Sequence, residues 1–170
     1  LTETFVFSPP TLNVRTTTAG PFPKPLGLPV KSFLAANNAN DLFLEYLRTG
    51  EYNPRPSIQT IANAMDVGAP SNFARILDLY HHSHADISAD ISGAAYSDAQ
   101  IREAMAECYH DNGYILDPHG ACGWRALTEN LTSGETGVFF ETAHPAKFKE
   151  TVEQAIGASV TIPPRLAAFM

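Results

Sequence analysis

The stretch Tyr114-Ile115-Leu116-Asp117-Pro118-His119-Gly120-Ala121 and its counterpart Gly137-Val138-Phe139-Phe140-Glu141-Thr142-Ala143-His144-Pro145 decide the fold class. In each, a short apolar run that suits a strand gives way to a polar residue, a histidine and a proline. Proline has a fixed φ and no amide hydrogen, which suits the first turn of a helix. Helical patterns flank both junctions. Ser97 with Gln100 forms a capping box for a helix with the apolar stripe Ile101, Met105, Cys108 and Tyr109 and a stop at Gly113. Trp124, Leu127 and Leu131 continue an inner face after Pro118, and Phe148, Val152, Ala155 and Ile156 do the same after Pro145 until Gly157. Such alternation predicts an α/β chain, a parallel sheet covered by helices, with ligands bound beyond the carboxyl ends of the strands.

Upstream, Val30 to Ala35 reads as a buried strand and Asn37 to Asn40 as capping residues. Leu42, Phe43, Tyr46 and Leu47 then fall at helical spacing, with Gly50 as the stop. Pro54 and Pro56 around Arg55 stiffen the loop from Gly50 to Ser57. Ile58 to Val67 fits helix or strand equally. Ser71 is expected to cap a helix with Phe73, Ile76, Leu77 and Tyr80 on one face, and His81 to Gly93 to be a loop with some helical turns. Residues 1–29 hold six of the 13 prolines, a density through which neither helix nor central strand runs. The expected organisation is therefore a Pro-rich arm over 1–29 and an α/β domain over 30–170.

At 170 residues one domain is the expectation. Eleven Lys plus Arg against 18 Asp plus Glu leave a net charge of −7, so no basic field exists to attract nucleic acid or anionic lipid. No apolar run reaches the roughly 20 residues of a membrane span, and no signal peptide opens the chain. Two cysteines, Cys108 and Cys122, are too few for a disulfide scaffold or a Cys-based zinc site. The expectation is a soluble, cytoplasmic protein with reduced thiols. Since Leu1 stands where an initiator Met would, a processed product or a piece of a longer protein is expected.

His81, His82, His84 and Asp86 do not make a metal site on this pattern, because neighbouring side chains point apart on a helix and alternate on a strand. Cys108 falls on a buried stripe, and Cys122 has no base near it in sequence. The two strand-to-helix junctions carry more. Each places polar groups where a helix N-terminus meets the carboxyl end of a strand. Capping accounts for Asp117; for Thr142 and His144, capping and ligand contact stand equal on the pattern alone.

The run Asn37-Asn38-Ala39-Asn40-Asp41, then Tyr46-Leu47-Arg48-Thr49-Gly50, Pro54-Arg55-Pro56-Ser57, Asn63-Ala64-Met65-Asp66-Val67-Gly68 and Pro70-Ser71-Asn72-Phe73 resembles threonine synthase. Asp117-Pro118-His119 and Thr142-Ala143-His144-Pro145-Ala146-Lys147-Phe148 are similar to the same family, in the same order, and the likeness extends from residue 27 to about 165. The resemblance implies a pyridoxal-phosphate (PLP) enzyme of the tryptophan-synthase-β fold type that converts O-phosphohomoserine and water into threonine and phosphate. It also implies that Thr142 sets a neutral hydroxyl against the pyridine nitrogen of the cofactor. Arg55, Asp66, Ser71, Asn72, His119 and His144 are implied as substrate-side residues, with Arg55 a bidentate donor to an anion or a brace for its own loop.

Two departures accompany the likeness. Lys24, Lys31, Lys147 and Lys149 match no context of the family's Schiff-base lysine, so no catalytic lysine is assigned to this chain. The loop that should cradle the cofactor phosphate, around Thr11 to Thr17, holds no glycine to turn backbone amides inward. The leading expectation is the C-terminal portion of a threonine synthase, inactive by itself, that self-associates or pairs with the N-terminal half. The alternative is a non-catalytic relic or regulatory binding module that keeps the scaffold.

Overall fold

In the computed structural model, residues 4–8 and 29–169 are described. Four strands, β1 (Thr4–Ser8), β2 (Val30–Asn37), β3 (Ile91–Ala95) and β4 (Glu135–Phe139), form one sheet in the order β3-β2-β1-β4, with every neighbouring pair parallel. Phe7 pairs with Phe33 on one side and with Val138 on the other. The helices are α1 (Leu42–Thr49), α2 (Phe73–Leu79), α3 (His84–Asp90), α4 (Asp98–Asn112), α5 (Pro118–Asn130), α6 (Lys149–Ile156) and α7 (Pro164–Ala167). This is the expected α/β class, a parallel sheet covered by helices.

The pleat divides the core in two. Val6, Leu34 and Ala36 face α5 and join a cluster with Ile101, Met105, Cys108, Leu116, Ala121 and Cys122, all buried. Phe33, Ala35 and Ile91 face the other way and pack with Phe43, Tyr46, Phe73 and Ile76. Successive residues of a strand point to opposite faces, so β2 feeds both clusters, as a strand buried on two faces must.

Local chemistry sets the helix ends. Ser97 and Gln100 close the capping box of α4, and Gly113 ends it in the left-handed conformation (φ 67°) that glycine adopts without steric cost. Asp117 caps α5, its side chain accepting from the His119 amide. His84 closes the far end of α1, its Nε2 lying 3.0 Å from the Tyr46 carbonyl and 3.1 Å from that of Leu47.

Several expectations need correction. Thr4–Ser8, inside the presumed arm, is an interior strand of the sheet; the prolines that argued against a strand begin only at Pro9. Tyr114 to Leu116 forms no strand but an irregular connector into α5, with the Leu116 side chain fully buried. The last strand ends at Phe139 rather than Glu141, which leaves Glu141 and Thr142 in the loop beyond it. His81 to Gly93 is not mainly loop. Ser83 caps α3, and Ile91 opens β3. Asn72 rather than Ser71 occupies the N-cap of α2, with no side-chain cap bond. Ile58 to Val67, left open above, is irregular apart from a 3-10 turn at Asn63–Met65.

Candidate active site

Beyond the carboxyl end of β4 the chain passes through Phe140 to His144 and into a 3-10 turn at Pro145–Phe148. His144 caps that turn, its Nδ1 accepting from the Ala146 amide (3.1 Å). Had Thr142 been the cap, its Oγ1 would have accepted from the amide of residue 144 or 146. Instead the Thr142 side chain is exposed, and among the described residues its hydroxyl has no hydrogen-bond partner. Beside this loop lies a cleft of about 520 Å³ whose walls include Gly113, Tyr114, Glu141, His144 and Val160.

The floor of the neighbourhood is an acid pair, Asp117 buried and Glu141 half-buried at the cleft wall. Asp117 Oδ1 accepts from the His119 amide (2.7 Å) and from His119 Nδ1 (2.6 Å). His119 Nε2 accepts from the Ala64 amide (3.1 Å). A ring nitrogen that accepts carries no proton, so the imidazole is neutral and holds its hydrogen on Nδ1. Glu141 Oε1 accepts from the Asp117 amide (2.8 Å). The remaining oxygens, Asp117 Oδ2 and Glu141 Oε2, are buried and have no partner so long as both groups are written as carboxylates. Burial and the neighbouring Asp117 carboxyl push Glu141 up to about 9. Burial alone would raise Asp117, but the hydrogen bonds from His119 and Glu141 hold it below the usual carboxylate range.

Asp66 and Arg55 turn toward the protein. Asp66 accepts from Asn38 Nδ2 (2.8 Å), Asn40 Nδ2 (3.1 Å), the Thr60 amide (2.9 Å) and Thr60 Oγ1 (2.7 Å). That network ties the 58–66 loop to the carboxyl end of β2. Arg55 is paired with Asp41 and Glu45, beside and within α1. Ser71 is exposed and Asn72 half-buried at the start of α2. The structure thus brings Asp117, His119 and the 141–144 loop together. Among the described residues, no hydrogen bond or ion pair joins Arg55, Ser71 or Asn72 to them.

Sequence reading missed Glu141. Its signal was the pairing of an acid at each strand-to-helix junction, with Gly120 opposite; a Cβ on Gly120 would overlap the Glu141 carboxyl. Lys31 pairs with Glu135, and Lys149 Nζ donates to the Val160 carbonyl (3.1 Å) and lies 3.5 Å from Glu153. Lys147 is exposed, while Lys24 and the segment Thr11 to Thr17 lie outside the described residues. Among the described residues, no group of three His, Cys, Asp or Glu is placed to hold a metal ion, and no helix is long and apolar enough to cross a membrane.

Comparison with known proteins supplies the rest. The family described as threonine synthase, C-terminal, matches residues 120–170. Threonine synthase from Serratia marcescens is 43% identical over 162 residues, which are 95% of this chain and 37% of that protein. The crystal structure of threonine synthase from Escherichia coli superposes with a TM-score of 0.91 at 40% identity, covering 98% of this chain and 39% of that one. A PLP-bound threonine synthase from Brucella melitensis gives 0.88 at 27% identity, over 96% of this chain and 40% of its own. The chain therefore spans about two fifths of the length of the relatives it matches. Over nearly its whole length the chain is thus similar, in sequence and in fold, to threonine synthases, and residues 120–170 match the C-terminal family model.

Proposed function

We propose that this chain forms one wall of the active site of a PLP-dependent threonine synthase, which converts O-phosphohomoserine and water into threonine and phosphate. The observation that carries the reading is Thr142, whose hydroxyl is exposed beyond the carboxyl end of β4 while His144 takes the capping role. A free neutral hydroxyl fits a pyridine nitrogen, because it donates without placing a charge beside the ring. When bound, the cofactor supplies an electron sink for carbanion chemistry. The chain supplies position. Thr142 holds the ring nitrogen, and His144, exposed on the cleft wall, faces substrate. Ser71 and Asn72 are the substrate-side groups at the start of α2. Asp66, Arg55 and His119 fix the loops around them through the bonds described above. The Schiff-base lysine and a glycine-rich phosphate cradle are assigned to a part of the enzyme outside this chain, since its four lysines match no context of that lysine and Thr11 to Thr17 holds no glycine.

The test is Thr142→Val in the full-length enzyme. Loss of a hydrogen bond worth about 1.5 kcal/mol or more in a water-poor site should weaken PLP binding, followed by absorbance titration, and slow turnover by about tenfold or more. Unchanged cofactor affinity and turnover would rule Thr142 out.

A further inference from the structure

Two buried carboxyl oxygens without partners, Asp117 Oδ2 and Glu141 Oε2, belong to residues already joined by the bond from the Asp117 backbone amide to Glu141 Oε1. Two carboxylates whose facing oxygens are shielded from water repel one another, and each orphaned acceptor carries a desolvation cost. One proton removes both problems. We propose that Asp117 and Glu141 share a single proton, carried on Glu141 Oε2 and donated to Asp117 Oδ2, and that this proton clamps the loop bearing Thr142 and His144 onto the N-terminus of α5.

The assignment of the proton to Glu141 follows from the other bonds. Asp117 Oδ1 accepts twice from His119, an arrangement that favours the charged form. Glu141 has one donor, and desolvation disfavours its charge. The remaining titratable groups around the pair are His119 and Cys122 on α5, Cys108 on α4, Tyr114 on the connector and His144 farther along the Glu141 loop, lining the same cleft. None is a lysine or arginine, so no nearby cation stabilises a second negative charge. Burial raises Cys108, Cys122 and Tyr114 and keeps them neutral. Gly120 gives the Glu141 carboxyl room to reach Asp117.

Through Asp117 and His119 the same proton connects the 141–144 loop to the amide of Ala64, next to the Asp66 network. Glu141 is thus a positioning residue. Its bearing on cofactor binding rests on the reading of Thr142 above, whereas the proton itself does not.

Opening the clamp exposes Glu141 to water, where it ionises near its ordinary value and releases the proton. Since the closed form holds the proton more tightly, the stability of the clamp is complete on the acid side and falls as pH rises between the ordinary and the raised value. Hydrogen exchange of the intact protein without cofactor, corrected for intrinsic rates, reads this directly. Protection of the segments 116–121 and 141–148 should fall about tenfold per pH unit between pH 6 and pH 8, one proton being released per opening. Glu141→Gln reproduces the protonated side chain, with an amide hydrogen in place of the shared proton, so it should keep protection and lose the slope. Asp117→Asn donates to an ionised Glu141 and should also lose the slope. A flat profile in the wild type, or a slope retained in Glu141→Gln, overturns the proposal. Because no cofactor is present, that outcome leaves the Thr142 reading standing, and failure of Thr142→Val leaves the clamp standing.

Discussion

Gly120 occupies the third position of α5, where alanine is ordinarily the better helix former by about 1 kcal/mol. Here the preference inverts. A methyl group at this position would meet the Glu141 carboxyl, and the wall behind that carboxyl is the buried Asp117. Gly120→Ala should therefore destabilise by about 1–3 kcal/mol, the usual cost of overpacking, in denaturant unfolding. The cause is identifiable by a double-mutant cycle with Glu141→Ala, since removing the obstructing carboxyl should recover most of the loss and make the pair strongly non-additive. Additive losses would place the strain elsewhere.

The helix ends differ in what they expose to solvent, and so in how readily each can be altered. The Ser97 cap of α4 is a surface device. Its Oγ accepts from the Gln100 amide at 3.4 Å, and its own amide donates to Gln100 Oε1 at 3.0 Å. Ser97→Ala should cost about 1 kcal/mol in thermal or denaturant unfolding and Ser97→Gly only a few tenths, with the acid pair untouched. This box, the Gly113 stop and the inner face of α4 were legible in the sequence because caps and period are local properties. β3 was not. Ile91-Ser92-Gly93-Ala94-Ala95 has little of the β-branched and aromatic content that marks a strand, and it is one because it lies against β2, with Gly93 beneath Leu44 and Leu47 of α1. The reverse happened at Tyr114 to Leu116, where an apolar run suited to a strand finds no place in a sheet of order β3-β2-β1-β4. At the site, Thr142 and His144 were readable from the junction and its resemblance. The Glu141–Asp117 contact was not, because it joins residues 24 apart in sequence.

At the scale of the whole molecule, the described residues cover the two faces of the sheet unequally. α5 packs across all four strands on one face, whereas on the other α1 and α3 pack mainly on β2 and β3. Over β1 and the chain leaving β4, that second face presents a row of aromatic rings: Phe5 beside Phe7 with centroids 6.4 Å apart, and Phe7 stacked on Phe140 at 6.2 Å. Phe140 is 38% exposed. Large contiguous apolar patches are uncommon on proteins that stay monomeric, because each exposed ring forgoes burial worth about 25 cal/mol per Å². Relatives more than twice as long as this chain have further structure available to cover such a face, so the chain by itself should either self-associate or pair with the preceding portion of the threonine synthase fold. Light scattering over a concentration series should show assemblies larger than the 18.4 kDa of one chain, and Phe7→Ser with Phe140→Ser should shift them toward monomer. Mixing with the preceding portion of a threonine synthase should do the same for the unaltered chain, replacing like-with-like contacts by a single heterologous pair. A clean monomer at every concentration would mean that the aromatic row is already covered within one chain.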